Sequence, residues 1–285
     1  MEQPVAVVAD SAAALDPALA AEHGIVTVPM ELEVGGRPVH EADMGLDELV
    51  ARLDDGIQTS APPPGAFVEA LEQLRAGGAR AAVVLTVGSS LSSTFQSART
   101  AVSLLGETLP VAVVDTGTAA GAEGLVVLAA ARAAGAGASL QEVEARAQLV
   151  AERVRLVAAV EELTYLVRGG RLAAGAARAG EHLGVRPLFE LRRDKIRPLR
   201  PSFSSDGALD QILGQWRRSR VDGAALHVAA LSALRDEDAG ALLEKVRAEA
   251  EPATALVGSF GPVMVAHTGP GVIGLAWWWE TPPPS

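Results

Sequence analysis

Five hydroxyl side chains fall within the six residues Ser89–Thr94. A helix start needs only one Ser, Thr or Asp to satisfy its orphan N–H groups. Ser90 and Ser92 are therefore read as donors to a bound ligand, whereas Thr94, Asp10 and Asp115 are read as caps. Thr59 and Ser60 stand just before Pro62-Pro63-Pro64 and add two more donors. His267 precedes Gly269-Pro270-Gly271, where proline fixes the backbone and glycine frees it. An imidazole there can bond an anionic head group and, with an ordinary pKa, is partly protonated near neutral pH. Arg168-Gly169-Gly170-Arg171 sets two guanidinium groups on one turn, suited to a phosphate or to a partner's carboxylates. Ser92 as nucleophile, His267 as base and Asp10 or Asp115 as orienter also supply the residue types of an acyl-transfer triad. His23, His40, His182 and His227 are read as structural.

Other chemistries are excluded. There is no cysteine, hence no disulfide, thiolate metal site or cysteine nucleophile. Gly269–Gly274 fits GxGxxG, but a strand pattern follows it where a dinucleotide fingerprint needs a helix. No P-loop, HExxH or GxSxG occurs, so neither cofactor nor metal is expected, and the serine hydrolase or acyltransferase reading lacks its usual elbow. With 24 Lys+Arg against 35 Asp+Glu the formal charge is −11, which argues against nucleic-acid and anionic-membrane partners. The opening Met1-Glu2-Gln3-Pro4 lacks a basic leader region, and the apolar stretch Thr118–Ala138 is interrupted by Glu123, Arg132 and glycines. That stretch reads as a packed interior helix without stable membrane insertion, and the expected compartment is the cytoplasm.

The elements that must hold these residues alternate. Strands are expected at Val5–Ala9, Ile25–Glu31, Ala81–Val87 and Pro110–Val114, with helices between them. Such βαβ units make a mainly parallel sheet whose strand ends bind ligands. Gly35-Gly36 marks a hairpin. Ser139-Leu140-Gln141-Glu142 is a capping box. Beyond about residue 150 strands are expected at Val154–Val160, in a hairpin around Asp194-Lys195, and at Ala224–Leu231, Val263–His267 and Val272–Trp278. In Trp277-Trp278-Trp279 two rings are expected in the core and one over an edge. The expected fold is two α/β domains. Residues 1–150 carry a mainly parallel sheet flanked by helices and the hydroxyl-rich loops. Residues 151–285 carry a mixed sheet with helices, His267 and the Arg-Gly-Gly-Arg turn.

One ordered series runs through the chain: Ala9-Asp10-Ser11, Thr59-Ser60-x-Pro62, Leu91-Ser92-x-Thr94-Phe95-Gln96-Ser97-Ala98 and Asp115-Thr116. Tyr165-Leu166-x-Arg168-Gly169-Gly170-Arg171 and His267-x-Gly269-Pro270-Gly271 follow. The series resembles the DegV family, cytoplasmic bacterial proteins that bind a fatty acid between two α/β domains. The resemblance implies a carrier without chemistry of its own, the substrate-binding subunit of a fatty-acid kinase system. It would hold a long-chain fatty acid such as palmitate and present the carboxylate to a separate ATP-dependent kinase subunit. By the same resemblance Thr59, Ser60, Ser92 and His267 contact the carboxylate; the residue reading adds Ser90 beside them and takes Arg168 and Arg171 as the groups that dock the partner. The sequence departs from the family at Ser93, where the pattern has Gly, and at Pro201–Ser205, which replaces a basic stretch.

Overall fold

The structure, a computed structural model, describes residues 5–172, 185–234 and 236–281; His182 lies outside them, as do Met1–Pro4. Strands β1 (Val5–Asp10) and β2 (Ile25–Val28) start a parallel sheet, joined by helix α1 (Pro17–Glu22). Asp16 caps α1 through its side chain, with Pro17 in the first turn, where a missing N–H costs nothing. The chain then leaves for a small antiparallel sheet of β3 (Glu31–Val34), β4 (Arg37–His40) and β5 (Ile57–Ser60), ordered β4-β3-β5. The expected single strand over 25–31 is thus split between two sheets. Gly35 and Gly36 both adopt positive φ in the hairpin turn, as a tight connection demands.

After α2 (Leu46–Ala51) and α3 (Pro64–Ala76), β6 (Ala81–Thr86), α4 (Thr94–Leu105) and β7 (Val111–Asp115) complete the parallel sheet, ordered β2-β1-β6-β7. Helices α5 (Ala120–Gly135) and α6 (Leu140–Arg153) come next, and the capping box at Ser139 and Glu142 is formed. The mixed sheet holds β8 (Arg155–Ala159), β9 (Leu188–Arg192), β10 (Lys195–Pro198), β11 (Ala225–Ser232), β12 (Pro252–Ser259) and β13 (Ile273–Glu280). Its order is β10-β9-β8-β13-β11-β12, antiparallel except between β11 and β12. Helices α7 (Thr164–Arg168), α8 (Ser205–Arg218), α9 (Asp236–Arg247) and α10 (Gly261–Thr268) connect these strands.

Helix α5 explains how the sheets meet. It packs on β1 from the parallel sheet and on β11 and β13 from the mixed one, and is buried nearly all round. A helix apolar on every side belongs in an interior. Its small residues set the spacing: a Cβ at Gly124 would stand 2.7 Å from the carbonyl oxygen of Ala13, and one at Gly121 would collide with Leu231. The interior helix expected over 118–138 is there.

Four expectations change. Val263–His267, read as a strand from its alternating Val, lies inside α10. Pro262 in the first turn and the Glu41 carboxylate, which accepts the Val263 N–H, start a helix that β-branched propensity alone does not favour. Strand β12 was not foreseen, and the hairpin turn falls at Arg193-Asp194, one residue early, with φ of 51° and 61°. All three tryptophans are buried, Trp277 and Trp279 in one core cluster and Trp278 in the other.

Candidate functional site

A narrow slot runs between the two larger sheets. Its walls enclose about 700 Å³ including the open mouth. Leu156, Phe189 and Leu191 of the mixed sheet form one apolar wall; Val87, Leu91 and Ala119 come from the first half of the chain. At the C-terminal end of β1 the buried carboxylate of Asp10 accepts the N–H of Ala12 at 2.9 Å and of Val87 at 2.8 Å. It thus ties together two slot-lining loops. Burial raises its pKa to about 7, and Glu123 beside it is raised well above the usual carboxylate value, since burial and Asp10 both oppose its charge.

The polar side chains gather at one place. Thr59 Oγ1 lies 2.7 Å from His267 Nε2, bridging β5 and α10 across 208 residues of sequence. Ser92 Oγ lines the slot and bonds Thr94 Oγ1 at 2.8 Å. Ser60 also lines it and donates to Glu31 at 3.0 Å. Gly169 lies against the imidazole, where a Cβ would strike Nδ1. That glycine of the Arg-Gly-Gly-Arg turn therefore makes room for the ring. His267 is expected above to be partly protonated, and this is corrected: burial, then the nearby Arg171 charge, lowers its pKa to about 4. At pH 7 it is neutral.

The two arginines of the turn part company. Arg168 faces solvent and meets Asp54 at 3.5 Å. Arg171 points into the slot wall, half-buried, donating to the carbonyls of Leu91 at 2.9 Å and Gly169 at 2.5 Å. Neither carbonyl carries a compensating charge. Ser90 is exposed and outside the slot lining; its N–H donates to Asp194 at 3.2 Å, and Asp194 N–H donates to Gly117, so the β9–β10 turn clamps the hydroxyl-rich loop. Asp10 caps the short turn at Ser11–Ala13 as expected, but Asp115 caps no helix: it accepts from Gly117 and Ser89, while α5 starts at Ala120; Thr94 is likewise the first residue of α4 and not its cap. The triad reading finds no support: the Ser92 hydroxyl bonds Thr94, His267 bonds Thr59, and both aspartates are engaged by backbone N–H groups. Sequence reasoning missed the slot's inward use of Arg171 and the Asp194 clamp. Among the described residues no cluster of three or more His, Asp or Glu side chains could hold a metal, and no helix is long and apolar enough to cross a membrane.

Two α/β layers stand around an apolar slot whose mouth carries hydroxyls, an imidazole and a guanidinium, a site whose shape and polarity match an amphiphile. Comparison with known proteins agrees in kind. The sequence model of the DegV family, described as "Uncharacterised protein, DegV family", matches residues 4–280, and the chain belongs to that family. It is 33% identical over 279 residues to a DegV domain-containing protein of Streptomyces coelicolor, covering 96% of this chain and 98% of that one. The solved structure of a DegV family protein from Thermus thermophilus, described by its fatty acid binding, superposes with a TM-score of 0.87 at 27% identity. That match covers 96% of this chain and 99% of the other. DegV of Bacillus subtilis, described as a fatty acid binding protein, gives 0.83 at 25% identity over 97% of this chain and 99% of the other.

Proposed function

We propose that this chain binds a long-chain fatty acid in the slot and presents its carboxylate, in the cytoplasm, to a separate ATP-dependent kinase subunit that forms the acyl phosphate. The chain itself is a carrier, organised as two domains that divide near residue 150. The observation carrying this reading is an apolar slot whose mouth holds Thr59, Ser92, His267 and a guanidinium that, among the described residues, has no carboxylate of its own. The solved relatives that bind fatty acids support the ligand class.

The tail supplies the grip. A sixteen-carbon acid buries about fifteen carbons at roughly 0.8 kcal/mol each, or about 12 kcal/mol. Association and ordering costs remove part of this, and micromolar to nanomolar binding needs about 8–12 kcal/mol. The head needs partners, because a bare buried carboxylate costs several kcal/mol. Neutral His267, protonated at Nε2, donates to Thr59, which frees the Thr59 hydroxyl proton for the carboxylate; the other tautomer would bury an N–H at Nδ1 with no acceptor. Ser92 adds a second hydroxyl, and Ser60 and Ser90 border the same loops. Arg171 supplies charge while two of its N–H groups stay on backbone carbonyls. The carboxylate is held without a full bidentate clamp and keeps a lone pair to attack the γ-phosphorus of ATP, releasing ADP. Arg168, free on the surface apart from Asp54, is the docking group of the turn.

Protein purified from a bacterial host and denatured before mass spectrometry is expected to release acyl chains of fatty-acid mass. A clean protein with no uptake of added palmitate would refute the reading. Added kinase subunit and ATP should convert bound palmitate to acyl phosphate, and Arg168→Glu should abolish that conversion while leaving palmitate bound.

A further inference from the structure

A second cavity lies further along α5 and shares no lining residue with the slot. It measures about 290 Å³, near the small end of ligand sites. Leu125, Leu128 and Ala129 of α5 give it an apolar floor. Its polar wall is one continuous chain of hydrogen bonds. Arg132 Nη1 donates to Thr254 Oγ1 at 2.5 Å, and that oxygen lies 2.9 Å from His227 Nδ1. His227 Nε2 lies 3.0 Å from Glu280 Oε2, whose other oxygen pairs with Arg146 at 2.5 Å.

The Glu280 carboxylate only accepts, so His227 donates to it from Nε2. Burial holds the His227 pKa below the ordinary value, which favours the neutral ring; Nδ1 is then an acceptor, and the Thr254 hydroxyl donates to it while accepting from Arg132. Trp278 stacks on the imidazole at 4.4 Å, with the Arg146 guanidinium 5.0 Å from its ring centre. Two guanidinium groups thus face one carboxylate and a neutral imidazole. Among the described residues Arg132 has no acidic partner, and its only hydrogen bond is to a neutral hydroxyl. Arg132 is exposed, so solvent reaches the guanidinium, and the cavity as a whole carries a local surplus of one positive charge over an apolar floor in a chain of formal charge −11.

We propose that this cavity binds a small organic anion with a short apolar body, its anionic group between Arg132 and Arg146 and its body on Leu125 and Leu128. The inference is independent of the fatty-acid reading. Phenyl phosphate is the probe, and benzyl alcohol is its uncharged control of similar size. Indole N–H signals of the labelled protein are followed by NMR, with and without saturating palmitate. The Trp278 signal is expected to shift saturably with phenyl phosphate, not with benzyl alcohol, and equally with palmitate present. Arg132→Gln, which keeps a donor for Thr254 but removes the charge, should weaken that response about tenfold or more. No saturable shift at millimolar phenyl phosphate, an equal response to the alcohol, displacement by palmitate, or an unchanged affinity in Arg132→Gln would each overturn the proposal. If Arg132→Gln does not fold, the wild-type arms with the two probes and palmitate decide it alone.

Discussion

His227 is buried and His267 half-buried, and each ring bonds a threonine hydroxyl, at 2.9 and 2.7 Å. What stands on the other side of each ring separates them. His227 has Glu280 at 3.0 Å and the flat of Trp278, so the protein supplies an anion directly to this ring. His267 has an unpartnered Nδ1 against Gly169 and the charge of Arg171 nearby, and among the described residues no carboxylate bonds either. A buried cation needs an anion from somewhere. Where the fold omits it, the ligand must bring it, and a fatty acid brings it on the end of a tail that the slot can bury.

The contrast can be broken most sharply by giving the slot a carboxylate. Thr59→Asp puts a fixed negative charge beside His267 and Arg171, as Glu280 does beside His227. Palmitate affinity, measured by competition with a fluorescent fatty acid, is expected to fall about a hundredfold or more while thermal stability holds, because a like charge now occupies the head-group position. Removing the unpaired cation is the next step down. Arg171→Gln should weaken palmitate binding about ten- to a hundredfold, the worth of a charged hydrogen bond. His267→Ala and Ser92→Ala should each cost about tenfold without unfolding the chain, since each deletes one donor. Unchanged affinity in both would remove the assignment of the mouth. Glu280→Gln should leave palmitate affinity within about twofold, because the His227 network lies outside the slot.

Acid distinguishes the two halves of the slot's own chemistry. The folded His267 pKa of about 4 lies below the ordinary 6.5, so the unfolded chain binds more protons between those values. Its contribution is present above pH 6.5 and is lost as pH falls toward 4, a term on the order of 3 kcal/mol. Asp10 and Glu123 run the other way, their raised pKa values giving stability that is lost as pH rises. The comparison must therefore be between variants: the Tm of ligand-free His267→Gln should fall less than that of wild type from pH 6.5 to 4.5. Glu123→Gln should gain Tm over wild type on going from pH 5 to pH 9. Parallel curves in either pair would contradict the corresponding burial.

The sequence carried the parallel sheet well because buried strands such as Ala81–Thr86 are continuous apolar runs between glycine and hydroxyl turns. It carried the mouth residues Thr59, Ser92 and His267 because each stands beside a proline- or glycine-fixed turn. Helix α10 was hidden by its valines: the capping carboxylate that helps start it, Glu41, is 222 residues away. Strand β12 was hidden by opening on Pro252 and containing Gly258, residues a strand tolerates at an edge, which is where β12 lies. The parting of Arg168 and Arg171 depends on the direction of one turn, and the second cavity gathers its wall from α5, α6, β11, β12 and β13. Neither leaves a local pattern to read.

The most direct test of the account is a titration of delipidated protein with palmitate and, in parallel, with hexadecanol, which has the same tail and no charge. One palmitate per chain should bind with micromolar or tighter affinity and hexadecanol distinctly more weakly, the gap closing in Arg171→Gln. Absence of palmitate binding, or equal affinity for acid and alcohol in the wild-type protein, would contradict a slot whose mouth awaits an anion.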